Sequence, residues 1–114
     1  MTIKVTVRQR GEVSVVDVAG RLTLGEGSNA VRDTLRELVG KGNTRVVLNL
    51  AGITYIDSAG IGELVTGFTT AAAGGGRLKL LSLPKKVREM LQITKLLSVF
   101  EVFDDETAAV RSFA

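Results

Sequence analysis

The chain has 114 residues, a length for one domain, here residues 1–114, and its 45% hydrophobic but only 4% aromatic composition calls for a core of Val, Leu and Ile. No apolar run approaches the ~20 residues of a membrane span, and the absence of cysteine excludes disulfides, thiolate chemistry and Cys metal sites. The net charge of +3 is not laid out as a basic stripe interleaved with aromatics, which argues against nucleic acid, and the whole is consistent with a cytoplasmic domain.

The opening Met1-Thr2-Ile3-Lys4-Val5 alternates and reads as a strand, not a signal peptide. Ile3, Val5 and Val7 continue the alternation, Gly11 breaks it, and Val13 to Val18 resumes it up to Gly20, which predicts a hairpin. A loop is expected over 21–28, with Ser28 or Asn29 capping a helix. That helix places Val31, Leu35, Leu38 and Val39 on one face and Arg32, Asp33, Arg36 and Glu37 outside, with Gly40 as its C-terminal cap.

Arg45 to Gly52 is a β-branched and leucine run, expected to be a central parallel strand buried on both faces. Ile61, Leu64, Val65, Phe68 and Ala72 form the next helical stripe, stopped by three glycines at 74–76. A strand over 77–83 follows. Pro84 suits the first position of a helix whose Val87, Met90 and Leu91 face inward. A strand over 99–103 and a helix over 106–113 complete the order ββαβαβαβα. Such crossovers build an α/β fold, a mixed but mostly parallel sheet with helices packed on it.

Two charged groups stand out: Lys85, Lys86 and Arg88 are basic, and Glu101, Asp104, Asp105 and Glu106 acidic. The chemistry-bearing stretch is Tyr55 to Leu64, YIDSAGIGEL. Asp57-Ser58 precedes the second helix, so either residue can cap it, worth ~1 kcal/mol. A hydrolase elbow needs glycine two residues either side of the serine, but residue 56 is Ile, and the chain has no histidine to act as base. Gly60 to Val65 lacks the third glycine of a dinucleotide fingerprint. A metal would rest on Asp57, Glu63 or the acidic cluster alone, a weak oxygen set. These residues do not describe an enzyme. Gly60 and Gly62 each weaken a helix by ~1 kcal/mol relative to alanine, which a cap alone does not require. A surface that admits a partner's backbone does. The residues leave both readings open.

The stretch VVLNLAGITYIDSAGIGEL resembles the signature of the STAS domain family, specifically its stand-alone bacterial anti-sigma factor antagonists. GRL after the second strand, KLLSL before the Pro-led helix and LLSVFEVFDDETAAV near the end extend the resemblance over nearly the whole chain. It implies a domain that binds an anti-sigma factor, itself an ATP-using serine kinase related to histidine kinases, and so frees a sigma factor. It implies Ser58 as phosphoacceptor, with a PP2C-type phosphatase restoring it, and no cofactor. Asp57, Ala59, Gly60, Ile61 and Gly62 would lie in the partner footprint, with Thr23, Leu24 and Glu26 at its edge. Neighbouring Asp57 and Glu63 are expected to repel the added charge. The family's G-x-L-D pattern has Thr23 in place of Asp, with Glu26 as a substitute acid. The rival readings are an unmodified STAS scaffold subunit, as in stressosome-like or lipid-transport assemblies, and a small-ligand or nucleotide module using the helix N-terminus.

Overall fold

The alternating N-terminal residues form the expected hairpin, strands Ile3–Arg10 (β1) and Val13–Leu22 (β2), paired antiparallel from Ile3 opposite Gly20 to Arg10 opposite Val13. The computed structural model describes residues 3–114; Met1 and Thr2 of the expected opening strand lie outside the described residues. Then come helix Glu26–Gly40 (α1), strand Arg45–Ile56 (β3), helix Ser58–Ala73 (α2), strand Arg77–Leu81 (β4), helix Lys85–Ile93 (α3), a 3₁₀ turn at Leu97–Val99, strand Val102–Phe103 (β5) and helix Glu106–Arg111 (α4). The sheet order is β1-β2-β3-β4-β5, and every pair after the hairpin is parallel.

Register turns the period of two into two different faces. Val16, Leu48 and Leu80 align across β2, β3 and β4 and are fully buried under α1, α2 and α3, with Val31, Leu35, Leu64, Val87 and Leu91. On the opposite face Val15 and Val47 pack with Val13, Leu81 and Ala109, under α4. Val46, Val47, Leu48 and Leu50 have no exposed surface, so β3 is the doubly buried strand that its composition predicts.

Several boundaries differ from expectation. β2 runs through Gly20 to Leu22 and β3 through Gly52 to Ile56, because pairing between them continues past register shifts after Asp17 and Gly20. Only Thr23–Gly25 therefore separates β2 from α1. Ser28 and Asn29 do not cap α1: Gly25 holds the N-cap position at φ 100°, and Ser28 is buried inside the first turn. Gly40 is still helical. The glycine that stops α1 is Gly42, at φ 85°, where its N–H and that of Asn43 close back on Val39 and Leu38. Ala71, not Ala72, is buried on α2. β4 ends at Leu81 because Ser82 turns to φ 56°, and Pro84 is the N-cap of α3 instead of its first helical residue. Of the strand expected over 99–103, Val99 closes the 3₁₀ turn and residues 100–101 are irregular, which leaves β5 two residues long. α4 likewise ends at Arg111, short of Phe113.

α4 is too short to be helical on its own. Asp105 caps it by accepting from the Ala108 N–H at 2.8 Å. At its far end buried Lys79, reaching from β4, donates to the Ser112 Oγ at 2.8 Å and carbonyl at 3.2 Å, with the Phe113 ring centroid 4.3 Å away. At its start Glu106 accepts from Arg8 and, at 2.9 Å, from Arg10 on β1. Arg8 also grips Asp17 through Nε at 2.6 Å and Nη2 at 3.0 Å, and Asn49 donates to the same carboxylate. The Arg8 hydrogen bonds hold both Asp17 and Glu106 below the usual carboxylate range, against a smaller opposing effect of burial.

A carboxyl with a depressed folded pKa stabilises above its unfolded value, about 4.3 for glutamate, and loses that contribution as pH falls through the folded value. Glu106→Gln should therefore melt lower at pH 7, by about 1 kcal/mol. The gap should close as pH drops from about 5 toward 3. Melts of both proteins across that range test the point; a gap that persists unchanged at pH 3 would assign Glu106's role to packing.

Candidate functional site

β3 delivers the candidate residues. It buries Ile56, then Asp57 stays extended at φ −116°, and α2 starts at Ser58. The Asp57 carboxylate does two things at once. Oδ1 accepts from the Gly60 N–H at 2.9 Å, capping α2, and Oδ2 accepts from the Leu24 N–H at 3.1 Å. The Asp57 N–H itself points to the Leu22 carbonyl at 3.4 Å. One side chain thus ties the β2–α1 loop to the first turn of α2. The Gly60 amide, then the Leu24 amide, hold its carboxyl below the ordinary aspartate value.

The two glycines of SAGIG have different roles. A Cβ on Gly60 would run into the Leu22 carbonyl and, at 2.7 Å, Ile56 Cγ1. Gly27 stands in the same relation to the Arg21 carbonyl. The first turns of α1 and α2 therefore both sit against the end of β2 where no side chain fits. Gly62 has nothing within 4 Å of its would-be methyl and is exposed. Gly60 belongs to packing; Gly62 is unexplained by it.

Ser58 is exposed at the first position of α2, and Ala59 is half-buried. Ile61, expected in the footprint, is 4% exposed and joins the core cluster. Thr23 is half-buried, its carbonyl accepting from the Ser28 N–H at 2.9 Å. Leu24 is 79% exposed, a large apolar side chain presented to solvent beside Asp57. Glu26 is exposed at the start of α1.

Glu63 does not face solvent near Ser58. It is buried and takes a two-pronged contact from Arg32, Nε to Oε1 at 3.1 Å and Nη2 to Oε2 at 2.9 Å, which locks α2 to α1. The expectation that Glu63 repels charge on Ser58 fails because its charge is already matched. Local patterning hides this pair, since 31 positions separate the partners. Half-exposed Tyr55, with Arg21 4.5 Å from its ring centroid, is another feature of this edge that composition did not single out.

Among the described residues no group of three His, Cys, Asp or Glu side chains is placed to hold a metal, and no helix is long and apolar enough to cross a membrane. A broad open groove of about 610 Å³ lies between α1 and the C-terminal half of α2, lined by Val39, Val65 and Thr69; none of the candidate residues lines it. Around Asp57, Ser58, Leu24 and Gly62 are all exposed, an arrangement open to contact with another macromolecule.

The STAS domain pattern matches residues 4–109. BtrV of Bordetella bronchiseptica is 37% identical over 75 residues, 66% of this chain and 65% of that protein. The chain thus matches just under two thirds of BtrV's length. The anti-sigma-B factor antagonist of Bacillus subtilis is 29% identical over 103 residues, 90% of this chain and 92% of that one. The phosphorylated form of the Bacillus cell fate determinant SpoIIAA superposes with a TM-score of 0.77 at 19% identity, covering 97% of this chain and all of that one. With five strands in this order, one antiparallel hairpin and a helix launched from Asp57-Ser58, the chain belongs to the STAS domain family.

Proposed function

We propose that this chain is an anti-sigma factor antagonist: it binds an anti-sigma factor through the Asp57–Ser58 corner, and phosphorylation of Ser58 ends the binding. The observation that carries the reading is the placement of Ser58, an exposed hydroxyl on the first residue of α2. Beside it lie exposed Leu24 and the bare backbone of Gly62. A relative aligned over most of the chain is named for this activity, and a structural neighbour is described in a phosphorylated form.

The physical logic is short. Leu24 supplies apolar area, and Ser58, Ala59 and Gly62, with no large side chain among them, form a patch that lets a partner's backbone approach. Thr23 and Glu26 border the patch, and Asp57, Gly60 and Ile61 shape it from beneath. A phosphoryl group adds about −1.5 to −2 charges at pH 7. Asp57 already occupies the Gly60 and Leu24 amides, so the new charge sits beside an existing carboxylate without those donors. The fold stays and the contact is lost. The partner is an ATP-using serine kinase as well as the bound anti-sigma factor, and a PP2C-type phosphatase reverses the modification. The chain works in the cytoplasm by binding, with no catalytic step of its own.

Incubation with the kinase and ATP should place one phosphate, on Ser58, when modified peptides are mapped; phosphate on Thr54 or Thr66 with Ser58 clean would refute the assignment. In calorimetric titrations Ser58→Ala should bind the anti-sigma factor and resist phosphorylation. Ser58→Asp should bind at least about tenfold more weakly, about 1.4 kcal/mol. Equal affinities would show that charge at residue 58 does not control the complex.

The glycines separate folding from recognition. Gly60→Ala should destabilise by about 1–3 kcal/mol, since its methyl meets the β2 backbone. Gly62→Ala should stabilise by up to ~1 kcal/mol yet weaken partner binding. Paired melts and titrations read both effects; a lower melt for Gly62→Ala would remove the recognition argument for that position.

A further inference from the structure

Next to the corner is a second feature that Ser58 does not use. The end of β3 and the start of α3 enclose a cleft of about 180 Å³ lined by Ile53, Tyr55, Ile56, Pro84, Lys85 and Lys86. Its volume is below the roughly 300–1,000 Å³ of small-molecule sites, so it suits a single aliphatic side chain and not a nucleotide. Lys85 and Lys86 are exposed on its rim and form no ion pair with any described residue. Arg21 lies over the Tyr55 ring with its charge likewise unmatched by a carboxylate. The lysines do not serve the helix that carries them. They open α3, whose first turn has no acidic residue, and cations at a helix start are unfavourable.

We propose that this cleft docks an acidic segment of a protein partner, one aliphatic side chain entering between Ile53 and Pro84 while flanking carboxylates pair with Lys85 and Lys86. It rests on the preceding reading only in taking the chain for a protein-binding module. Two features favour a peptide segment. The apolar lining matches a side chain, and the unpaired cations match carboxylates. The cleft also lies one residue along the chain from the candidate interface, since Ile56 lines one and precedes Asp57 of the other.

The test is an amide-shift titration of the isotope-labelled protein with the blocked peptide acetyl-Glu-Glu-Leu-Glu-Glu-amide and its glutamine counterpart. Saturable shifts are expected at Ile53, Tyr55, Lys86 and Val87, with the glutamate peptide binding about tenfold tighter. Lys85→Glu/Lys86→Glu should lose about tenfold in affinity for the acidic peptide. The reversal favours the start of α3, so an unchanged or higher melt rules out unfolding as the cause. Equal binding of the two peptides, shifts scattered away from the cleft, no saturation at millimolar peptide, or undiminished binding by the double variant would each overturn the proposal. Shifts at the same amides from phosphatidylserine vesicles, with none from peptide, would assign the cleft to a lipid surface and equally overturn it. Ser58→Ala, which removes the phosphoacceptor without adding charge, should leave the peptide titration within about twofold of the parent. Failure here therefore leaves the Ser58 switch standing, and failure of that switch leaves this result standing.

Discussion

The Asp57 carboxylate is the joint on which this edge of the molecule turns. Its two oxygens are taken by amides from segments 33 and 3 residues away in sequence, Leu24 and Gly60. A neutral side chain of the same shape would make weaker bonds, because an ionised acceptor roughly doubles the strength of a hydrogen bond. The amides keep the carboxylate ionised, and the carboxylate keeps the β2–α1 loop against α2. Leu24 then has a fixed place beside Ser58 although its side chain touches solvent. Without this joint the three-residue loop would have no side-chain tie to α2.

Behind the joint lies backbone packing. Gly60 and Gly27 bring two helix starts onto the last carbonyls of β2, and the Arg32–Glu63 pair fixes the helices to each other about one turn further on. The corner is therefore rigid on its inner side and open on its outer side, where Ser58 and Gly62 lie. A modification there changes surface charge on a scaffold that has no slack to absorb it by refolding.

How much of this is legible in the sequence depends on the range of the cause. Period-two and helical periodicity identify every helix and the first four strands, because burial of Val, Leu and Ile is a local pattern. Boundaries fail where pairing overrides local punctuation: Gly20 and Gly52 read as stops, yet the β2–β3 ladder carries both through. Ser28 reads as a cap because short polar residues favour that position, but the helix already starts at Glu26 and Gly25 holds the N-cap position at a positive φ. At the site, Asp57 as a cap and Ser58 as an exposed hydroxyl are readable. The burial of Ile61, the separate roles of Gly60 and Gly62, and the pairing of Glu63 are tertiary facts with no local signature.

The buried Lys79 gives α4 a distinct character. Its ammonium is held by Ser112 and the Phe113 ring, both at the far end of a six-residue helix, and also pairs with the Glu101 carboxylate at 3.6 Å, which does not move with that helix. If α4 lifts, the lysine regains water, which offsets part of the cost of exposing Val13, Val15, Val47 and Leu81. The same side chain that anchors the C-terminus thus lowers the free energy of releasing it. The two faces of the sheet are for this reason unequal in hold as well as in cover: one lies under three helices of nine to sixteen residues and the larger core cluster, the other under six helical residues and a smaller cluster, so α4 is the cover that costs least to open locally.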